Sequence, residues 1–178
     1  MRHVSPDALV RARRVRLMIF DVDGVLTDGR LWYGAEGEVL KSFHTLDGHG
    51  LKLLGLAGIA TAILSGRESA AVTRRASELG IAHVLQGIER KGSAFDALLA
   101  KLGLSAPEAG CMGDDVMDLP VLRRCGLACA PHEAHARVLD CAHLITSAPA
   151  GAGAAREICD LLMQSQDSLQ AALARYLA

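Results

Sequence analysis

Short apolar runs recur along this chain, separated by longer stretches in which the apolar residues follow helical spacing. The run Leu17–Phe20 ends at a turn signal, which is typical of a strand buried in a parallel sheet. The stretch 91–102 has the apolar spacing of a packed helix and is followed by Gly103, a favoured residue just past a helix end. Because this alternation repeats, the pattern predicts an α/β fold with a doubly wound, mainly parallel sheet and helices on both faces.

The pattern assigns each element an expected place. The first helix is predicted from a cap at Ser5 through about Arg14, and the last from Ala155 to Leu177. Strands are predicted at 17–20, 60–64, 83–85, 109–112, 127–130 and 144–145, and further helices at 51–56, 68–79, 91–102 and 116–124. The segment at about 30–44 predicts two short strands around a glycine-rich turn, which is a small β-hairpin insertion.

Length and composition favour a single domain over 1–178, because no linker or low-complexity tract divides the 178 residues. Residues beyond about 165 are expected to form a flexible C-terminal tail. Hydrophobic residues make up 51% of the chain, but aromatic residues only 3%. The core must therefore be built mainly from Leu, Ala, Val and Ile.

Charge and cysteine content argue against several classes of partner. The formal net charge is −1, so no nucleic-acid surface is expected. No run approaches the ~18 uninterrupted apolar residues that span a membrane. The five cysteines form no CxxC pair and no signal peptide precedes them, so we expect reduced thiols in a cytoplasmic protein.

Two carboxylates, Asp21 and Asp23, directly follow the first predicted strand and precede Gly24. Open α/β sheets bind their ligands beyond the carboxyl ends of the strands. Two anions about 6 Å apart by strand rise would repel each other there and lose hydration, which costs free energy. Because a divalent cation offsets this cost, the pair indicates a metal site.

Three further polar groups occupy strand ends or helix starts. Ser65, Gly66 and Arg67 follow the strand at 60–64, Lys91 begins a helix, and the acidic group 114–118 follows the strand at 109–112. They supply a hydroxyl, backbone N–H groups, a cation and further carboxylates. Phosphoryl transfer needs such a set, because its barrier falls mainly through positioning and charge neutralisation.

The residue types suggest roles in that reaction. Asp21 is predicted to attack phosphorus and form an aspartyl-phosphate. Asp23 is predicted to protonate the leaving oxygen and later to deprotonate water. Lys91 would hold a phosphate oxygen and keep Asp21 ionised, while Ser65 and Gly66 would hold another oxygen at a helix start.

Magnesium is the expected cofactor, because Mg²⁺ prefers all-oxygen octahedral sites between carboxylates and a substrate phosphate. The predicted ligands are the carboxylates of Asp21 and Asp114 and the main-chain carbonyl of Asp23. Asp118 and Asp115 would support these ligands without binding the ion themselves, although Asp115 fits a helix cap equally well.

Four segments in this order, DVDGVLTDG, LSGR, ERKG and GDDVMD, resemble the four motifs of the haloacid dehalogenase (HAD) superfamily. The resemblance covers nearly the whole chain, and each segment lies at a predicted strand end or helix start. It implies a Rossmann-like HAD core and an enzyme that hydrolyses phosphoric monoesters.

Two further segments, 43–52 and 149–157, are similar to the family of 3-deoxy-D-manno-octulosonate 8-phosphate (KDO 8-phosphate) phosphatases. That resemblance implies a Mg²⁺-dependent reaction in lipopolysaccharide biosynthesis on a small phosphorylated sugar acid. It also implies sugar-phosphate contacts by His44, Thr45, Leu46, Asp47, Gly48, Lys52, Arg67, Arg75 and Lys91. The chain departs from the family pattern at His44 and Leu46, often Asn and Arg in the family, and at Ala150 and Ala152 in the tail.

The spacing of the motifs predicts that no cap domain covers the site. Residues 22–64 and 66–90 are nearly filled by the hairpin and by core elements. An open site exchanges water freely and stabilises charge less well, so either the substrate is a macromolecule or a neighbouring subunit closes the site. The family resemblance implies a homotetramer whose hairpins and tails cover adjacent sites.

Other interpretations stay open. A phosphatase for a nine-carbon sugar acid, such as a sialic acid or KDN 9-phosphate, would share the four motifs. A signalling receiver domain also combines acidic residues, a hydroxyl and a lysine, but its phosphorylated Asp usually follows a later strand. A non-catalytic relative would have lost Asp21, Asp23 or Lys91, and all three are present. Asp47 could also serve only as a turn or cap residue.

Overall fold

The structure is a computed structural model that describes residues 5–174 and 176. Its strands are β1 (Leu17–Phe20), β2 (Trp32–Gly34), β3 (Gly37–Leu40), β4 (Ala60–Leu64), β5 (His83–Leu85), β6 (Ala109–Met112), β7 (Leu127–Ala130) and β8 (Leu144–Ile145). Its helices are α1 (Pro6–Ala12), α2 (Thr45–Leu56), α3 (Ala70–Leu79), α4 (Lys91–Leu102), α5 (Leu119–Leu122), α6 (Ala136–Leu139), α7 (Ala154–Ser165) and α8 (Leu169–Ala174). Short 3₁₀ turns occupy Ala106–Glu108 and Val116–Asp118.

Six strands form one sheet in the order β5-β4-β1-β6-β7-β8, and every pairing in it is parallel. The predicted α/β fold is confirmed. The chain builds outward from β1 through β4 to β5 and then crosses to β6 on the other side of β1. This reversal places the switch point of the sheet at the carboxyl end of β1, where ligands of such sheets bind.

The core lies on both faces of the sheet, and β1 shows why. Leu17 and Ile19 point to one face and pack in a cluster with Phe95 of α4. Met18 and Phe20 point to the other face and pack in a cluster that includes residues of α2 and α7. All four β1 side chains are fully buried, so the apolar run reflects a strand covered on both sides.

The hairpin insertion is confirmed as the antiparallel pair β2–β3. Its turn contains Gly37 at φ +115°, a conformation that side chains other than glycine rarely adopt. Between β1 and β4 the chain forms only this hairpin and α2, and between β4 and α4 only α3 and β5. No cap domain is inserted in this fully described stretch.

The helix α2 starts earlier than predicted, at Thr45 instead of residue 51, because the His44 side chain accepts a hydrogen bond from the Leu46 N–H and caps it. Asp47 therefore lies inside the first turn of α2. Its buried carboxylate accepts hydrogen bonds from the N–H groups of Gly153 (3.0 Å) and Arg156 (2.8 Å). It caps the first turn of α7, which begins after Gly153 and has no cap from its own side chain.

Other predicted boundaries also shift. The predicted last helix is wrong as a single element, because it breaks after Ser165 and Asp167 adopts φ +56°. Leu169 and Leu173 of α8 pack against the core. The predicted end at Leu177 lies outside the described residues. The first helix ends at Ala12, α3 begins at Ala70, and the predicted helix 116–124 is a 3₁₀ turn followed by α5.

In residues 5–174 and 176, none of the helices is long and apolar enough to cross a membrane.

Candidate active site

One cleft at the carboxyl edge of the sheet gathers most of the predicted catalytic residues. Asp21 follows β1, Ser65 follows β4, Asp114 follows β6, and Lys91 is the first residue of α4. The cleft is lined by Asp21, Asp23, Ser65, Gly66, Arg67, Lys91, Asp114, Asp115, Met117 and Asp118. Parallel pairing of β4 and β6 with β1 brings these strand ends together.

Lys91 lies buried between two carboxylates. Its Nζ is 3.0 Å from Asp21 Oδ1 and 2.6 Å from Asp118 Oδ1. Burial alone would lower the pKa of Lys91, but the two neighbouring carboxylates outweigh it and raise the pKa. Lys91 is therefore an ammonium ion at any physiological pH, and it attracts negative charge to this end of the cleft.

Asp118 organises the loop that presents Asp114. Its Oδ1 accepts from Lys91, and its Oδ2 accepts from the N–H groups of Asp114 (3.0 Å) and Asp115 (3.3 Å). Gly113 is needed here, because a Cβ at this position would lie 2.5 Å from the Cβ of Asp118. Asp118 therefore holds Lys91 and the loop that carries Asp114 and Asp115, and its role behind the metal ligands stays a prediction.

Asp115 lines the cleft, but its carboxylate accepts a hydrogen bond from the Val116 N–H at 2.7 Å and caps the 3₁₀ turn. The sequence left a cap and a role behind the metal ligands equally open. The observed hydrogen bond favours the cap.

The acidic cluster has the donor set for a magnesium ion. Asp21, Asp114 and Asp118 each offer a carboxylate oxygen, and these three atoms lie within 4.8 Å of one another. Asp114 Oδ1 is buried and has no hydrogen-bond partner among the described residues. Lys91 and the loop N–H groups engage both oxygens of Asp118, whereas Lys91 contacts only Oδ1 of Asp21, so Asp21 and Asp114 stay the predicted ligands. Their oxygens fit Mg²⁺, which favours carboxylates in octahedral sites.

Burial and repulsion between neighbouring carboxylates disfavour the ionised forms of Asp21 and Asp114. Burial, then the nearby Asp118, raises the pKa of Asp21 to about 6. Burial, then Asp21 and Asp118, raises the pKa of Asp114 to about 7. A Cβ at Gly24 would lie 2.1 Å from Asp114 Oδ2, so glycine is what admits this carboxylate so close to the first motif. The main-chain carbonyl of Asp23 stays a predicted ligand.

Magnesium is expected to raise the melting temperature, and more so at pH 8 than at pH 5.5. In the metal-free protein, the raised pKa values of Asp21 and Asp114 mean that their contribution to stability falls as pH rises from about 4 to about 7. Near pH 8 the ion meets two ionised ligands, whereas at pH 5.5 it must displace protons. At 100 times Kd, binding adds about 2.7 kcal/mol, or roughly 5–10 °C for a domain of this size.

Thermal unfolding with EDTA or MgCl₂ at both pH values tests this expectation. Asp114→Asn is the matched control and should remove most of the gain. An equal gain at both pH values, or none at pH 8, would contradict the assignment of these ligands.

Asp23, the predicted acid and base, is held by two cations. Its Oδ1 makes an ion pair with Lys41 Nζ, and its Oδ2 lies 3.6 Å from Arg67 Nε. Lys41 follows β3, so the hairpin reaches the catalytic cleft of its own chain. The hairpin residues Tyr33 and Glu38 also contact Arg67.

Lys41, Glu38, Tyr33 and Met117 were not among the predicted site residues. Met117 lies in the fourth motif and could have been found from its neighbours. The hairpin residues had no such signal, because strand alternation does not show which surface a hairpin packs against.

The remaining predicted substrate contacts do not line this cleft. His44, Asp47, Gly48 and Arg75 line a different, largely apolar cavity beside Phe43. Thr45, Leu46 and Lys52 lie on the same helix α2 and line neither cavity. Within one chain, the structure thus separates the predicted sugar contacts of α2 and α3 from the predicted catalytic residues.

Comparison with known proteins agrees with this fold. The model of the haloacid dehalogenase-like hydrolases matches residues 62–158. The chain is 41% identical over 169 residues to 3-deoxy-D-manno-octulosonate 8-phosphate phosphatase KdsC of Yersinia pestis, covering 95% of this chain and 90% of the relative.

Solved structures are similar over nearly the full length. A probable YrbI family phosphatase from Pseudomonas syringae pv. phaseolica superposes with a TM-score of 0.95 at 49% identity, covering 98% of this chain and 99% of that one. The 3-deoxy-D-manno-octulosonate 8-phosphate phosphatase of Moraxella catarrhalis, in complex with magnesium, phosphate and KDO, superposes with a TM-score of 0.93 at 37% identity, covering 96% and 98%.

The parallel sheet, the acidic pair after its central strand and the buried lysine define a haloacid dehalogenase-like hydrolase. Within that superfamily, the chain belongs to the 3-deoxy-D-manno-octulosonate 8-phosphate phosphatase family.

Proposed function

We propose that this protein is a Mg²⁺-dependent phosphatase that hydrolyses KDO 8-phosphate to KDO and phosphate, a step in lipopolysaccharide biosynthesis. The observation that carries the choice of substrate is the 41% identity, along 95% of the chain, to phosphatases named for this compound. The cleft supports the reaction type, because it holds a nucleophile, an acid, a cation and a site for Mg²⁺. We expect the reaction to take place in the cytoplasm, in keeping with five unpaired cysteines.

In the first step, a carboxylate oxygen of Asp21 bonds to phosphorus as the bond from phosphorus to the sugar oxygen breaks. Asp23 donates its proton to that leaving oxygen. Lys91 holds Asp21 in place at 3.0 Å and attracts the phosphoryl group. The Ser65 hydroxyl accepts the Arg67 N–H at 3.3 Å, which leaves its own proton free for a phosphoryl oxygen.

In the second step, Asp23 takes a proton from a water molecule whose oxygen bonds to phosphorus. The bond between phosphorus and Asp21 breaks, and both carboxylates return to their starting states. When Mg²⁺ is bound between Asp21 and Asp114, it neutralises charge on the phosphoryl oxygens and orients them.

A panel of sugar-acid phosphates tests this function. We expect kcat/KM for KDO 8-phosphate to exceed that for sialic acid 9-phosphate and KDN 9-phosphate by about 10-fold or more, and EDTA to abolish turnover of all three. A preference for a nine-carbon ester would replace KDO 8-phosphate as the substrate. Undiminished turnover in EDTA would contradict the role of the metal.

We also propose that the protein assembles as a homotetramer in which neighbouring subunits cover each site. The hairpin exposes Leu31, Trp32, Val39 and Leu40, each at least 46% exposed, although Lys41 and Glu38 contact cleft residues of the same chain. Exposed apolar residues that are contiguous on one element are typical of an interface. The separation of the α2 residues from the cleft of their own chain suggests that they serve a neighbour.

Light scattering at micromolar concentration should give the mass of four chains. The double variant Trp32→Glu and Val39→Glu should dissociate the assembly and raise KM. A fully active monomer would exclude this proposal.

A further inference from the structure

We infer that Lys41, carried by the hairpin, is a positioning residue for the catalytic acid Asp23, an inference that rests on the proposed function. Lys41 does not meet solvent or substrate, because its side chain is only 2% exposed. Its Nζ pairs with Asp23 Oδ1 and lies 3.2 Å from Glu38 Oε2. A buried ammonium group with two carboxylate partners fixes the geometry of both.

The ion pair with Lys41 determines which carboxylate oxygen of Asp23 can transfer a proton. Oδ1 is engaged by Lys41, whereas Oδ2 is buried, lies 3.6 Å from Arg67 Nε and makes no hydrogen bond among residues 5–174 and 176. Asp23 lines the cleft beside Ser65 and Lys91. Lys41 therefore holds the carboxyl group so that Oδ2 exchanges the proton with the leaving oxygen and, later, with water.

Glu38 anchors this arrangement to the body of the protein. Its Oε1 accepts a hydrogen bond from the hydroxyl of Ser69, the residue that caps α3. Its Oε2 contacts Lys41 at 3.2 Å and Arg67 at 3.9 Å. The hairpin is thereby fixed against the α3 end of the cleft, and Lys41 has little freedom to move away from Asp23.

This arrangement gives the hairpin a role within its own chain. Its outer apolar side chains are free for a neighbouring subunit, while Lys41 and Glu38 serve the site of the same chain. Proton transfer in this enzyme then depends on the docking of an element that carries none of the four superfamily motifs.

Lys41→Met is expected to lower kcat roughly 10²-fold, the lower end of what a positioned acid–base group contributes, with KM changed less than about three-fold. Lys41→Arg keeps the charge and should recover most of the lost kcat. Lys101→Met removes an exposed lysine of α4 and is the matched control, with kcat unchanged.

A double-mutant cycle with Asp23→Asn separates positioning from simple support of the hairpin. If Lys41 acts through Asp23, Lys41→Met causes no further loss of kcat in a protein that already carries Asp23→Asn. The same fold-loss in both backgrounds, or a kcat for Lys41→Met within two-fold of the wild type, would overturn the inference. If Lys41→Met fails to fold, as judged by circular dichroism, the cycle is run with the neutral but polar Lys41→Gln, for which the same loss of kcat and the same criteria apply.

Every variant is assayed with p-nitrophenyl phosphate as well as with KDO 8-phosphate. Wild-type turnover of the first ester alone would refute the proposed substrate and still allow the cycle to be measured. A wild type that turns over both esters, with a cycle that shows independent effects, would refute only the role of Lys41.

Discussion

Replacing Asp21 with Asn is expected to lower kcat by roughly 10⁴-fold or more, the scale on which loss of a nucleophile acts. The amide cannot displace the sugar oxygen from phosphorus, and the other carboxylates of the cleft already have partners or roles. Asp23 pairs with Lys41, and Asp115 caps a 3₁₀ turn. Asp118 is bound to Lys91 and to loop N–H groups, and Asp114 is the expected metal ligand. Steady-state phosphate release with KDO 8-phosphate and saturating Mg²⁺ measures the effect.

Asp96→Asn is the matched control, because it removes an exposed carboxylate that pairs with Arg124 at the surface. We expect its kcat to stay within two-fold of the wild type. A chemical readout identifies the role directly. With p-nitrophenyl phosphate, whose leaving group needs little protonation, Asp23→Asn should accumulate phosphate on the peptide that contains Asp21. Phosphate found on another peptide, or substantial kcat in Asp21→Asn, would contradict the assignment.

Replacing Lys91 with Met is expected to affect both stability and catalysis. The change leaves Asp21 and Asp118 buried without their shared cation, and breaking a buried ion pair from one side costs about 3–5 kcal/mol. For a domain of this size we expect the melting temperature to fall by about 10 °C. Loss of a buried positive charge at the phosphoryl group should also lower kcat roughly 10³-fold, comparable to the loss of an oxyanion-hole donor.

Lys101→Met, on the same helix α4 but exposed, controls for the loss of a lysine and should change neither quantity. Adding Asp118→Asn to Lys91→Met should restore part of the lost stability, because it removes one uncompensated charge, but it should not restore kcat. Denaturation in EDTA and steady-state kinetics in Mg²⁺ measure the two effects separately. A stable, active Lys91→Met would contradict the proposed role of this lysine.

Much of the fold was predictable because the information is local. The strand Leu17–Phe20 and the helix Lys91–Leu102 have the predicted bounds, since an apolar run and a following glycine define them without reference to the rest of the chain. Boundaries that depend on distant contacts were predicted less well. The helix α2 begins at Thr45, and its Asp47 is satisfied by N–H groups of α7, more than a hundred residues away.

The catalytic site likewise contains residues that could be predicted from local sequence and residues that could not. Asp21, Ser65, Lys91 and Asp114 could be assigned to one cleft from sequence, because parallel strands bring their carboxyl ends to one edge of a sheet. The fold class and the residues that terminate its strands follow from local periodicity. Only the tertiary structure showed that Lys41 pairs with Asp23 and that the α2 residues lie outside the cleft. These contacts depend on how a hairpin and a helix pack against surfaces distant in sequence, which no local pattern encodes.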